Sequence, residues 1–311
     1  MPARIGIPRA LQAYRYLGLW QAFLEGLGVE VVVSSPTDRQ AIVDGTRLAP
    51  AELCLPTKVF VGHLVRLAGE VDLILLPRMD CRRIDGDLFF GCPKEMAMPD
   101  MVRALLPGLP RTIELVVDER EMSEADSYRA VARELGLERK WREAYRHAKS
   151  ECRGQNAPER PAIDNRRSYI ANATLRIGVV GHEYLLHDSL LTFDIVERLR
   201  RHGVEPVLAE GAGPGPGGLR PRFMPNWMFE RQLIEAAAQM VEGASVSGLL
   251  LVSSFACGTS AVTNELIRLM VHDSGREIPV LQLLFDEHTG EAGLATRLES
   301  FIDVIRMRRR S

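Results

Sequence analysis

Apolar and polar positions along this chain switch between two periods, and the switches predict its elements. Ile5-Gly6-Ile7 reads as a short strand running into a loop. Trp20, Phe23, Leu24 and Leu27 then recur at helical spacing over residues 14–27. Gly28 stops that helix, and Val29-Glu30-Val31-Val32-Val33 reads as the next strand, ending at Ser34-Ser35-Pro36. Strand, helix, glycine, strand is the order of a βαβ unit and predicts a parallel sheet.

The same order returns in the second half. Arg176-Ile177-Gly178-Val179-Val180-Gly181 opens a strand, residues 190–201 read as an amphipathic helix, and residues 202–208 give the turn and second strand. Gly203-Val204-Glu205 repeats Gly28-Val29-Glu30 at the same junction. A third strand, residues 72–76, leads to Cys81, and its counterpart at residues 248–252 leads to Cys257 with the same spacing. A fourth pair joins residues 113–119 to residues 280–287. Matched elements in one order predict a duplicated, doubly wound α/β unit. The expected domains are residues 1–120 and 172–311. Residues 121–171 intervene, with a charged helical stretch carrying Trp141, Tyr145 and Ala148 on one side. Residues 156–168 and the Gly/Pro-rich residues 211–218 read as surface linker and loop.

A chain of 311 residues suits about two domains, and 46% hydrophobic content supplies two cores. A net charge of −2 gives no support to a nucleic-acid or membrane partner bound through bulk charge. Residues 243–264 lack charge, but their serines and threonines argue for a buried strand and turn rather than a membrane span. The start has no apolar leader, so a cytoplasmic location is expected, where five cysteines serve as reduced, metal-bound or reactive thiols. The Arg308, Arg309 and Arg310 run reads as a solvated helix end.

Ligands of open α/β sheets bind at the carboxyl ends of strands, and three cysteines fall in that zone. Cys54 and Cys92 each precede a proline at an expected helix start, and Cys257 follows a buried strand. A helix N-terminus favours thiolate, the metal-binding form. No C-x-x-C spacing occurs, and free cysteines also serve as small buried hydrophobes, so residue pattern alone leaves both readings open. Cys81 is a fourth candidate through its equivalence to Cys257; Cys152 reads as incidental. Asp286-Glu287-His288-Thr289-Gly290-Glu291 could be an acid/base or hard-metal site, or a strand-to-helix turn. His63, His182 and His187 read as loop-proximal, each alone more often structural than ligating. The phosphate-binding fingerprints G-x-G-x-x-G and G-x-x-x-x-G-K-S/T and the G-x-S-x-G elbow are absent.

Ile5-Gly6-Ile7-Pro8-Arg9-Ala10, residues 54–63, Cys92-Pro93-Lys94, Gly181-His182-Glu183-Tyr184, Phe255-Ala256-Cys257-Gly258 and residues 286–299 resemble acyl-CoA dehydratase activase-related proteins. These are relatives of 2-hydroxyglutaryl-CoA dehydratase subunits and of double-cubane-cluster proteins. The resemblance implies Rossmann/flavodoxin-like domains and an oxygen-sensitive [4Fe–4S]-type iron–sulfur cluster in the cleft between them. By motif its ligands are Cys54, Cys92 and Cys257; Cys81 and Cys152 match no family motif. Arg9, Lys58, His63, Lys94 and His182 are then expected around it, tuning potential or orienting an anionic ligand. The implied partners are an ATP-hydrolysing activator and an anionic or acyl-CoA substrate, with a homodimer left open. Electron transfer or reductive or dehydratase chemistry follows for an enzyme. The alternatives are a non-catalytic partner or assembly protein of such a system, or a two-lobed small-molecule binder.

Overall fold

A computed structural model describes residues 3–154, 175–209 and 218–309, with two compact units dividing at Ala162/Ile163. The expected linker at 156–168, most of the 211–218 loop and Arg310 lie outside the described residues. The first unit runs β1 (Arg4–Ile7), α1 (Ala13–Leu27), β2 (Glu30–Val33), α2 (Arg39–Leu48), α3 (Leu55–Leu67), β3 (Leu73–Ile84) and β4 (Asp87–Phe90). It continues with α4 (Pro93–Met96), α5 (Met98–Leu105), β5 (Arg111–Asp118), α6 (Glu124–Glu134) and α7 (Trp141–Gly154). The second unit runs β6 (Leu175–Val180), α8 (Glu183–Leu186), α9 (Ser189–Thr192), α10 (Ile195–Arg201) and β7 (Val204–Leu208). After it come α11 (Met228–Glu242), β8 (Gly248–Ser254), α12 (Gly258–Asp273), β9 (Val280–Phe285) and α13 (Glu291–Arg308).

The α/β class and the repeat are both present. In the first sheet β2, β1, β3 and β5 pair in parallel, in that spatial order. In the second, β7, β6, β8 and β9 do the same. Counting only the parallel strands of each unit, both orders are 2-1-3-4, the flavodoxin-like doubly wound arrangement. The first sheet departs from its twin at β3, which runs on past its parallel partners and pairs antiparallel with β4. Local chemistry marks the element ends. Gly28 closes α1 at φ 89°, which glycine adopts without penalty, and the Asp38 side chain accepts the Ala41 N–H at the start of α2.

Residues 121–154 pack on the first unit: Tyr128, Val131, Ala132, Ala144 and Ala148 join Trp20, Phe23, Leu24 and Leu27 of α1 in one core. The helix expected over 190–201 is broken in two. Phe193 and Asp194 both adopt left-handed backbone, at φ 52° and 54°, which ends α9 and starts α10 afresh. Among the described residues no helix is long and apolar enough to cross a membrane.

Candidate functional site

In each unit the strand order reverses between the first and third strands, and the chain beyond those strand ends carries the candidate residues. Cys54, Cys92 and Cys257 share one local geometry. Each is the residue before the first helical turn, of α3, α4 and α12 respectively, in extended backbone with no side-chain cap to the helix. Proline follows in the first turn of α3 and of α4, where its missing N–H has no helical acceptor to lose. Cys54 is buried; Cys92 and Cys257 are partly exposed. Cys54 Sγ lies 3.6 Å from Thr57 Oγ1, while Cys257 Sγ lies 3.1 Å from Ser260 Oγ and 3.5 Å from Thr259 Oγ1.

The other two cysteines sit differently. Cys81 is inside β3, not in a loop, fully buried and opposite both Phe90 and Asp118. Burial pushes its thiol up. Cys152 lies on α7 rather than in a linker, packed against the first unit's core. Spacing alone pairs Cys81 with Cys257, but the β3–β4 hairpin changes which cysteine occupies the equivalent place. The chain leaves at Asp80, returns at Gly91 and closes with the Gly91 N–H donating to the Asp80 carbonyl at 3.0 Å. A Cβ on Gly91 would stand 1.9 Å from the Met79 carbonyl oxygen, so the return is tight enough to require glycine. Cys92 thus begins a helix just beyond the level at which β3 would otherwise have ended, as Cys257 does beyond β8.

The first unit's two helix starts are tied together. Lys94 Nζ donates to the Glu52 carbonyl at 2.8 Å, linking the turn after Cys92 to the loop before Cys54. Gln12 Nε2 donates to both oxygens of the buried Glu95 carboxylate, at 3.1 and 3.0 Å, fixing α4 against the start of α1. Lys58 is buried one turn into α3. Arg9 is held by its backbone N–H on Ser34 Oγ and by its Nε on the Ser34 carbonyl.

His63 is in the middle of α3, not near a loop, and has no exposed surface. Its Nδ1 is 2.9 Å from Ser34 Oγ and its Nε2 is 3.0 Å from Thr37 Oγ1. Ser34 Oγ already accepts from Arg9, so its own proton points to Nδ1 and Nε2–H faces Thr37, the arrangement of a neutral ring. Desolvation, then the charges of Arg66 and Arg9, lowers its pKa to about 4 against a smaller upward pull from Asp38.

In the second unit His182 precedes α8, stacks on Tyr184 at 4.9 Å, and sets Nε2 3.3 Å from Glu230 Oε1 of α11. Glu230 is 2% exposed. Burial pushes its carboxyl up, but hydrogen bonding and charge from His182, with the Thr259 hydroxyl, hold it below the usual range. Thr259 also neighbours Cys257, so a polar chain runs from His182 to the sulfur. Sequence reading missed Glu230; its signal was a carboxylate sharing a helix face with Ile234, Ala237 and Val241. Glu230→Gln is expected to cost about 1–3 kcal/mol in a denaturant titration, since His182 then faces a neutral amide. An unchanged midpoint would show the pair to be idle.

The Asp286 run forms a turn. Asp286 Oδ1 accepts from the His288 N–H at 3.0 Å and from Thr289 Oγ1 at 2.8 Å, and Glu291 pairs with Arg198. Among the described residues no group of three or more His, Cys, Asp and Glu side chains is placed to hold a metal ion.

Residues 4–211 match the family described as the CoA enzyme activase uncharacterised domain. The chain belongs to this family. The activase-domain match covers β1 through β7 and includes Cys54 and Cys92, whereas Cys257 and the Asp286 turn lie beyond it. No match is found among curated proteins.

Proposed function

We propose that Cys54, Cys92 and Cys257 supply three thiolates to a [4Fe–4S]-type cluster. On this reading the protein works in low-potential electron transfer, or in reductive or dehydratase chemistry, on an acyl-CoA or related anion. One observation carries it: these three cysteines, and neither of the other two, sit uncapped in extended backbone immediately before a helix. Membership of an activase-related family supports an ATP-hydrolysing activator as electron source. The finer resemblance to 2-hydroxyglutaryl-CoA dehydratase subunits supports the cluster itself.

With three protein ligands, such a cluster when bound supplies electrons and one iron open to another ligand. The chain's own part is to set the surroundings. Thr259 Oγ1, 3.5 Å from Cys257 Sγ, is placed to donate to the thiolate, and hydrogen bonds to cluster sulfurs raise the potential. Lys94 holds the Cys54 and Cys92 loops in register, and buried Lys58 adds positive charge one turn from Cys54.

The test is anaerobic reconstitution with iron and sulfide. Wild type and Cys81→Ser/Cys152→Ser are expected to retain roughly four irons and absorb near about 400 nm. The Cys54→Ser/Cys92→Ser/Cys257→Ser variant is expected to retain neither. Iron-free wild type, or a triple variant that keeps its iron, would remove this reading. If that variant still captured the activator in a pull-down, a non-catalytic partner role would take its place.

A further inference from the structure

A groove of about 560 Å³ lies on the first unit along α6 and α7, and none of the candidate site residues above lines it. That volume falls within the range of about 300–1,000 Å³ usual for small-molecule sites. Its lining includes the rings of Trp141 and Tyr145 and the cations Arg142, Arg146 and Lys149. The two rings are one helical turn apart, with centroids 6.5 Å apart and planes tilted by 38°. Both are half-buried: one side packs on the first unit's core, and the rest borders the groove.

The cations are not spent on neighbours in equal measure. Lys149 Nζ is 2.9 Å from Glu124 and 5.8 Å from the Tyr145 ring centre, so it is already paired. Arg142 lies over the Trp141 ring at 5.6 Å. Neither Arg142 nor Arg146 has a carboxylate partner among the described residues. Both are exposed and, being four residues apart, share a helix face. Two unpaired guanidinium forks one turn apart suit a phosphate, which they can grip bidentately. Phosphate alone would use neither the rings nor most of the volume. A flat heterocycle beside the phosphate would use both, because it can stack on Trp141 while the forks hold the charge.

We infer that this groove binds a purine nucleotide, with its base on Trp141 and Tyr145 and its phosphates on Arg142 and Arg146. The chemistry is shared by a free nucleoside diphosphate and by the nucleotide end of coenzyme A, and the titrations below separate the two. The site is independent of the proposed cluster, so it is measured on iron-free protein, and iron content is scored separately.

Isothermal titration of the full chain would compare ADP, coenzyme A, adenosine and inorganic phosphate. ADP or coenzyme A is expected to bind saturably, and adenosine and phosphate at least about tenfold more weakly. Arg142→Ala/Arg146→Ala should weaken the nucleotide by about tenfold or more while leaving the circular dichroism spectrum unchanged. Trp141→Phe, which retains a ring, should weaken it less than the arginine pair does. Binding of ADP as tight as that of coenzyme A identifies a free nucleotide site; binding of coenzyme A alone identifies coenzyme A as the ligand, recognised through the groups that ADP lacks. No saturable binding of either, binding indifferent to loss of both arginines, or equal binding of phosphate alone would overturn the proposal.

Discussion

Gly62→Ala is expected to destabilise the first unit by at least about 3 kcal/mol, although alanine is the better helix former. α2 and α3 cross through two glycines. A Cβ on Gly62 would lie 1.9 Å from the Ala41 carbonyl oxygen, and a Cβ on Gly45 would lie 1.9 Å from that of Lys58. Both obstacles are backbone, so no rotamer change relieves them, and the helices must separate. Propensity returns only about 1 kcal/mol against that. Gly69→Ala is the control, since a Cβ there meets nothing within 4 Å. Unfolding can be followed by tryptophan fluorescence in a Trp227→Phe background, where Trp20 and Trp141 report on the first unit. Equal midpoints for Gly62→Ala and Gly69→Ala would show that the crossing is looser than described. The effect also reaches the candidate site, because Cys54 immediately precedes α3 and the helix carries Lys58 and His63.

Acid is the second strong lever. His63 titrates near 6.5 when unfolded and at about 4 when folded, because burial and then Arg66 and Arg9 oppose its charged form. Above the unfolded value the ring is neutral in both states, and its contribution is fully present. Between the two values the unfolded chain binds a proton that the folded chain refuses, so stability falls as pH falls. The difference corresponds to about 3 kcal/mol over that window. Carboxylates held low by partners, such as Asp118 beside Arg120 and Glu230 beside His182, lose their contribution only further into acid. Comparing wild type with His63→Gln between pH 7 and about 5 therefore isolates the histidine. The wild-type slope should be steeper, and parallel slopes would refute the assignment.

Much of the fold was legible because buried parallel strands and stop glycines leave strong local signals. The run 29–33, the glycine at 28 and the repeat at 203–208 all landed within a residue or two of β2 and β7. What escaped depended on contacts remote in sequence. The β3–β4 hairpin was invisible because β3 does not stop where its parallel partners do; the apolar run ends at residue 76, yet Cys81, Arg82 and Arg83 continue the strand and pair with Phe90, Phe89 and Leu88. The break at Phe193 and Asp194 carries neither glycine nor proline, so nothing local announced it. Gln12 and Glu95 are 83 residues apart, beyond any periodicity. The helix-start setting of Cys54, Cys92 and Cys257 was foreseeable from proline placement and strand ends. Their chemistry came from resemblance.

The hairpin has a meaning for how such a molecule could diversify. A duplicated gene begins with two identical halves, and any change that improves one strand or helix threatens the register of the whole sheet. A detour whose two ends meet at Asp80 and Gly91 sidesteps that constraint. It leaves every parallel strand partner in place while giving the following helix a new first residue. One copy can thereby acquire a thiol in a different sequence context while the sheet order stays untouched.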